Sequence, residues 1–289
     1  MSTRILSDFN LLIPSTVDEA LDILDRLRDK VTVISGGTDV LVAMKFNFEN
    51  ENAMSLAKLS GLDGLSFDAQ KGLRVGSKTT IAQLLDSPDV KKYYPAIWEA
   101  AVTFATPQIR NTATLVGNLL RGSPAGDGSC AVYALGGSLV FTSKEGEREV
   151  DIDDLWVGYA TTARKPNELA LELRIPAPSA GNINAFKRLT RVNEDLAKLN
   201  VAVSMTMKGN VCEDARVAMG CVAATLVRLK QAEALLKGAE INDESLAKVM
   251  SAVEAEITPI DDQRSTAEYR KMVSGVIVKR TIEQARQRA

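Results

Sequence analysis

Two short segments of this chain combine glycines with small hydroxyl and amide side chains. The first, VISGGTDVLV, covers residues 33–42, and the second, ATPQIRNTATLVGNLLRGSPAGD, covers residues 105–127. Glycine has no side chain to hold a ligand away from the backbone, and a turn of consecutive N–H groups binds phosphate without any lysine. Each segment is therefore suited to lie against a diphosphate.

The first segment has a predicted strand that ends in two glycines. The β-branched run at residues 31–34 indicates a buried strand, and Gly36 and Gly37 then predict a turn with exposed N–H groups because glycine adopts positive φ freely. Thr38 adds a hydroxyl donor, and Asp39 either orients the turn or accepts from a ribose or ribityl hydroxyl. An isolated Gly-Gly-Thr is equally typical of an ordinary tight turn. The G-x-G-x-x-G pattern of dinucleotide-binding folds is not present.

The second segment offers a hydroxyl, a glycine and an amide close together. They belong to Thr114, Gly117 and Asn118, and we expect a loop there. Taken alone, the segment equally fits a loop whose Arg110 and following asparagine cap backbone groups. Asp127, at its end, suits a helix N-cap as well as a ligand contact.

Composition excludes several kinds of chemistry. The chain has no histidine, which excludes a Ser-His-Asp triad, a histidine metal site and imidazole acid–base catalysis. Cys130, Cys212 and Cys221 are unclustered, so we expect buried thiols and neither a disulfide scaffold nor an iron–sulfur site. Any redox chemistry therefore needs an organic cofactor. A net charge of −2 indicates no nucleic-acid partner.

The hydropathy pattern predicts no membrane span. The longest apolar runs have fewer than ten residues, and residues 1–10 lack the apolar core of a signal peptide. We therefore expect a cytoplasmic protein.

The periodicity of apolar residues predicts an α+β protein. Strands are expected at residues 31–34, 72–76, 139–142, 169–175, 185–189, 200–207 and 214–219. Helices are expected at residues 17–27, 41–45, 80–85, 88–94, 96–104, 130–135, 229–236, 244–253 and 266–287. Thr16 and Glu19 form the pattern of a capping box. Alternation at residues 201–207 favours a half-buried antiparallel strand, and the prolines and glycine of residues 176–181 indicate a linker.

Five groups of motifs occur in a fixed order along nearly the whole chain. They are GGTD; QIRN with T-L-x-G-N and S-P-x-x-D; AFKRLTRVNEDLAKLNVAVSM; RVAMGCVAATLVR; and AEYRKMVSGVIVKR. In this order they resemble the FAD-binding medium subunits of the molybdenum-containing hydroxylases, the group of xanthine, carbon monoxide and nicotinate dehydrogenases. The ordered set is specific, whereas no single motif is.

The resemblance implies a fold and a division into domains. It predicts a two-lobed FAD-binding domain of the vanillyl-alcohol-oxidase-like type at residues 1–177, with lobes at about 1–57 and 58–177. A C-terminal domain of a small antiparallel sheet with helices is expected at residues 178–289.

The resemblance also assigns the cofactor-binding residues. The two diphosphate segments correspond to Val33, Ile34, Ser35, Gly36, Gly37, Thr38 and Asp39, and to Thr114, Gly117 and Asn118. Phe104 and Ala105 lie near the flavin, Asp127 is a polar contact, Leu169 and Ala170 contact the isoalloxazine through their backbone, and Lys187 is a basic residue at the polar edge of the ring. Without the family, Lys187 is an ordinary surface lysine. Arg188, Arg191 and Asp195 belong either to a loop that controls acceptor access or to a solvated charged strand end.

Two positions depart from the family pattern G-T-x-G-G-N. Ala113 and Val116 replace glycines, which leaves Gly117 for close approach to the phosphate and puts the local backbone path in question.

The implied function is electron relay within a complex. FAD is expected on this chain, and molybdenum-pterin and two [2Fe–2S] clusters on a large and a small partner subunit, in a dimer of heterotrimers. FAD would deliver electrons to NAD or another acceptor, and we expect no catalytic residue or metal ligand on this chain. The alternatives are an independent FAD-dependent oxidase and a flavin-free assembly subunit.

Overall fold

The computed structural model describes residues 8–47 and 51–288. Across these residues, three larger β-sheets and a two-stranded hairpin follow one another, with helices packed on the larger sheets. This mixture of helix and sheet confirms the predicted α+β class. Residues 1–7, on which part of the expectation about a signal peptide depends, lie outside the described residues.

The N-terminal part is a small parallel sheet with a helix on each face. Its elements are β1 (Asn10–Leu12), α1 (Val17–Leu27), β2 (Val31–Ile34), α2 (Val40–Asn47) and β3 (Asn52–Ser55). The strands are ordered β1-β3-β2. Ala20 and Leu24 of α1 pack on one face, and Met44 of α2 packs with Ile34 and Ala53 on the other. A parallel sheet needs such cover because both of its faces are apolar.

The predicted capping box of α1 is only half right. The Thr16 hydroxyl accepts the Glu19 N–H at 3.2 Å, which confirms Thr16 as the N-cap. The Glu19 carboxylate, however, accepts from the N–H and the hydroxyl of Ser15, at 2.7 and 2.8 Å. The side chain therefore reaches one residue further back than a capping box requires.

The middle part is an antiparallel sheet covered by helices on one face. Its strands are β4 (Leu65–Asp68), β5 (Gly72–Gly76), β6 (Ser138–Ser143) and β7 (Gly146–Asp151), followed by the hairpin of β8 (Trp156–Gly158) and β9 (Thr161–Thr162) and by β10 (Leu169–Ile175). Between β5 and β6 lie α3 (Ile81–Asp86), α4 (Pro88–Tyr93), α5 (Pro95–Val102), α6 (Pro107–Arg110), α7 (Leu115–Leu120) and α8 (Asp127–Leu135). The strand order is β4-β5-β10-β6-β7. Leu173 and Ile175 face the helices, while Glu172 pairs with Arg174 at 2.7 Å.

The C-terminal part is a second antiparallel sheet with its own helices. It consists of β11 (Asn182–Leu189), β12 (Leu199–Lys208), β13 (Val211–Gly220), β14 (Val227–Arg228), α9 (Lys230–Leu236), α10 (Asp243–Glu256) and α11 (Ala267–Arg286). Strand β12 was predicted to be antiparallel and half-buried. The antiparallel pairing with β11 and β13 is confirmed, but the N-terminal half of the strand is buried on both faces. Val201 and Val203 pack into the C-terminal core, but Ala202 is equally buried against the core of the middle part. Helix α8 packs on β12, so the second face of the strand is covered as well.

Every helix and strand predicted from periodicity is found, with ends that differ by at most three residues. The prolines of residues 176–181 separate β10 from β11, as predicted. The three cysteines are free and buried, which also confirms the prediction. In the part of the chain that the structure describes, no helix is both long enough and apolar enough to cross a membrane.

Candidate functional site

The first glycine segment forms a turn with unused N–H groups. Strand β2 ends at Ile34, residues 35–39 turn, and α2 begins at Val40, with the Leu41 N–H donating to the Gly37 carbonyl at 3.0 Å. Within residues 8–47 and 51–288, the N–H groups of Gly36, Gly37 and Thr38 meet no protein acceptor. These half-buried groups are therefore available to an anionic ligand.

The two glycines of this turn are needed for different reasons. Gly37 has φ +72°, in the left-handed region that favours glycine. Gly36 is not in that region, but a Cβ added there would lie 1.8 Å from the Thr112 carbonyl oxygen. Gly36 thus allows the first segment to lie directly on the backbone of the second, a contact that the sequence did not reveal.

The second segment is helical where we expected a loop. Thr114 is the N-cap of α7, and its hydroxyl accepts the Gly117 N–H at 3.1 Å. The Asn118 N–H donates to the Thr114 carbonyl at 3.0 Å. Leu115 and Leu119, four residues apart, are buried on one side of the helix. The N–H groups of Gly117 and Asn118 are therefore used within the protein.

The side of α7 that remains accessible is the one that keeps its glycine. Gly117 is exposed, whereas Ala113 and Val116 are buried in the core of the middle part. At the two positions where the family has glycine, the side chains of Ala113 and Val116 therefore lie in the interior. They do not block close approach to the surface at Gly117.

The Asn118 side chain organises the next helix. Its Oδ1 accepts the N–H and the hydroxyl of Ser129 in α8, at 3.1 and 3.2 Å. Just after α7, Arg121 forms an ion pair with Asp39 of the first segment. The two segments are thus joined by a backbone contact at Gly36 and by a pair of charged side chains.

Residues 76–81 connect the second segment to β10, and no functional role was predicted for them. The Leu115 N–H donates to the Thr79 carbonyl at 3.4 Å, and the Ile81 N–H donates to Ala113 at 2.8 Å. On the other side, the Ser77 N–H donates to Leu171 at 2.9 Å. These residues could have been identified from the sequence, because a strand followed by glycine and hydroxyl residues is also the pattern of the first segment.

Leu169 and Ala170 lie at the start of β10, where two cores meet. Leu169 packs with α1 and Ala170 with the core of the middle sheet. Pairing with β6 is interrupted just after Ala170. The preceding Glu168 is nearly completely buried, and its two carboxylate oxygens accept from Arg148 at 2.8 Å each. The Arg148 and Lys165 hydrogen bonds lower the pKa of Glu168 although burial opposes them, so the strand start is held by a charged pair.

Phe104 and Ala105 lie just before the second segment. Phe104 is half-buried and packs against the core of the middle part. Ala105 has φ +38°, which residues with a side chain rarely adopt. Local strain of this kind is often found at functional sites.

Two family models match the sequence in succession. The model described as the FAD binding domain in molybdopterin dehydrogenase matches residues 7–178, and that of the CO dehydrogenase flavoprotein C-terminal domain matches residues 184–285. The chain belongs to the FAD-binding medium subunits of the molybdenum hydroxylases.

Individual relatives agree over almost the full length. The carbon monoxide dehydrogenase medium chain of Afipia carboxidovorans is 31% identical over 96% of each chain. The nicotine 6-hydroxylase medium subunit of Paenarthrobacter nicotinovorans is 30% identical over 94% of this chain and 95% of its own. The structure of carbon monoxide dehydrogenase from Hydrogenophaga pseudoflava, lacking the Mo-pyranopterin moiety, matches with a TM-score of 0.94, 30% identity and 99% coverage of both chains. This likeness confirms the predicted fold.

In this medium subunit, Asp127 is a buried residue whose carboxylate bonds to two strands, and it is not an N-cap. It is the first residue of α8, whose N-cap is Gly126. Its carboxylate accepts from Arg188 of β11 and from Asn200 of β12, both at 2.8 Å. Burial raises the pKa of Asp127, and the Arg188 guanidinium and the Asn200 amide oppose that shift. Asp127 therefore joins the FAD-binding and C-terminal domains.

Lys187 is not brought to the other candidates by any hydrogen bond or ion pair in the described residues. Its strand neighbours Phe186 and Arg188 face the middle part, so alternation places Lys187 on the opposite face, with Ala185. The group of Arg188, Arg191 and Asp195 is split. Arg188 is buried, while Arg191 pairs with Asp195 at 2.7 Å on the surface.

Proposed function

We propose that this chain is the flavin subunit of a molybdenum hydroxylase complex and relays electrons from [2Fe–2S] clusters on a partner through FAD to NAD or another acceptor. The observation that carries the proposal is the turn at residues 35–38. Three free N–H groups lie there, beside the backbone of Thr112 and Ala113 in the second segment. This arrangement fits a diphosphate.

The residues of the turn bind and orient the cofactor in this proposal. The N–H groups of Gly36, Gly37 and Thr38 donate to the diphosphate, and Gly117 leaves room for it. Ala105, Leu169 and Ala170 shape the region of the ring system. FAD, when bound, supplies the capacity to take up and pass on electrons.

The complex is proposed from the family and from what the chain lacks. Relatives are named medium chains or medium subunits, which implies larger and smaller partners. We infer a large molybdenum-pterin subunit and a small iron–sulfur subunit, assembled as a dimer of heterotrimers. With no histidine in the chain, substrate oxidation is assigned to the partners.

We place the domain boundary after Ala177, with lobes of the FAD-binding domain at about residues 1–57 and 58–177. The change of sheet supports this division. Strand β10 ends at Ile175 in the middle sheet, and β11 begins at Asn182 in the C-terminal sheet.

The isolated chain tests the flavin site directly. It is expected to be yellow, with one FAD, and inert toward aldehydes, purines and N-heterocycles. Gly36→Val is expected to lose FAD because its side chain would collide with the Thr112 carbonyl. The matched control is Gly64→Val, since a Cβ at Gly64 has nothing within 4 Å. Circular dichroism checks that both variants fold.

The outcomes separate the proposal from its alternatives. A colourless wild-type protein that cannot be reconstituted with FAD would identify an assembly subunit. A single chain that oxidises substrate without metals would identify an independent oxidase. Co-expression with the partner subunits is expected to give hydroxylation, and the reduction of NAD in that complex tests the acceptor.

A further inference from the structure

A lysine lies beside the candidate site with unused hydrogen-bonding capacity. Lys78 follows β5, and its ammonium group donates to the carbonyl oxygens of Leu59 and, at 3.2 Å, of Ala57. Both acceptors belong to the connection between β3 and β4. Among the described residues, Lys78 pairs with no carboxylate. An ammonium has three donors, so one N–H is left for another acceptor.

Lys78 lies at the carboxyl edge of the parallel sheet. Strands β2 and β3 are neighbours, with Ile34 opposite Ser55, and the Leu56 N–H donates to the Ile34 carbonyl at 2.9 Å. Ala57 therefore lies across from the start of the turn at residues 35–38, one strand spacing of about 5 Å away. Ligands of open sheets with parallel strands bind at this edge.

We propose that Lys78 is a further FAD-binding residue that attracts the diphosphate from the β3–β4 connection. This inference rests on the proposed function. The strand spacing plus the hydrogen bond to Ala57 places the ammonium roughly 10 Å or less from the turn, within about one Debye length at about 0.1 M ionic strength. Asp39 does not neutralise Lys78, because Asp39 is already paired with Arg121.

The alternative is that Lys78 only stabilises the β3–β4 connection through its two hydrogen bonds to carbonyl oxygens. Charge and hydrogen bonding can be separated by comparing two substitutions. Lys78→Arg keeps the charge, and Lys78→Gln keeps a donor without it. Lys71→Gln is the matched control, since Lys71 is an exposed lysine at the opposite end of β5.

The experiment is a fluorescence titration of the full-length apoprotein with FAD at about 0.01 M and about 1 M ionic strength, where the Debye length falls from about 30 to about 3 Å. Lys78→Gln is expected to raise the Kd about 5-fold at low salt, and this difference should disappear at high salt. Lys78→Arg and Lys71→Gln should bind like wild type.

Three results would overturn the inference. Wild-type affinity of Lys78→Gln at low salt would show that the charge does not reach the diphosphate. An equal loss at both salt concentrations, shared by Lys78→Arg, would show a purely structural role. Failure of the wild type to bind FAD would overturn the proposed function as well, so the two failures are distinguishable.

Discussion

The two glycine segments have similar composition but use their backbone N–H groups differently. In the turn at residues 35–38, the N–H groups of Gly36, Gly37 and Thr38 have no acceptor within the described chain. In the second segment, those of Gly117 and Asn118 are bonded within the first turn of α7. The first segment therefore has N–H donors that no protein acceptor uses, whereas those of the second segment stabilise α7.

The largest expected effect comes from Asp127, where the second segment ends. Asp127→Ala leaves the Arg188 guanidinium, which is 6% exposed, without its carboxylate partner. We expect a loss of about 3–5 kcal/mol in the free energy of unfolding. Denaturation of the apoprotein measures this loss. The matched control is Asp195→Ala, which breaks the exposed pair with Arg191 and is expected to cost about 1 kcal/mol or less. Equal losses in the two variants would contradict the structural role of Asp127.

A substitution at Thr38 tests whether the turn at residues 35–38 binds the cofactor. The Thr38 hydroxyl makes no hydrogen bond to the described residues, so Thr38→Val should leave the stability of the apoprotein unchanged. A hydrogen bond to a charged phosphate contributes about 1.5 kcal/mol, and we therefore expect FAD binding to weaken about 10-fold. Calorimetric titration with FAD gives the affinity. An unchanged Kd would return Thr38 to the role of an ordinary turn residue.

The same substitution at Thr114 tests whether the second segment has a structural role. Thr114→Val removes the hydroxyl that accepts the Gly117 N–H and should cost about 1 kcal/mol of stability. For a chain of this size the Tm should fall by about 2 °C. The FAD affinity of the folded protein should change little. If Thr114→Val weakens FAD binding as much as Thr38→Val does, the two segments have the same function and the comparison fails.

The sequence revealed the periodic elements but not the contacts between distant segments. Helix α7 was missed because its six residues include Gly117 and Asn118, which have low helix propensity. Its stability comes from the Thr114 cap and the burial of Leu115 and Leu119.

The burial of β12 on both faces could not be foreseen for a related reason. Ala202 is small, and a small apolar residue fits an exposed position as well as one packed under α8. The positive φ predicted for Gly36 is wrong, and what requires glycine there is the closeness of the Thr112 carbonyl. The role of Gly36 depends on Thr112, which is distant in the sequence and reaches it only in the folded chain.

The smallest expected effect concerns Lys187, which lies outside both segments. Lys187→Glu changes the local charge by two units, worth about 0.8 kcal/mol at roughly 10 Å in a water-like medium. If Lys187 lies near the flavin ring, the two-electron midpoint potential of bound FAD should fall by about 20 mV, because a negative charge disfavours reduction. We expect this fall because the family resemblance places Lys187 at the polar edge of the ring, although strand alternation places its side chain on the face of β11 that carries Ala185. A spectroelectrochemical titration measures the potential, and Lys208→Glu, at the exposed far end of β12, is the matched control. Equal potentials in wild type and Lys187→Glu, with FAD fully bound, would show that strand alternation keeps Lys187 away from the ring.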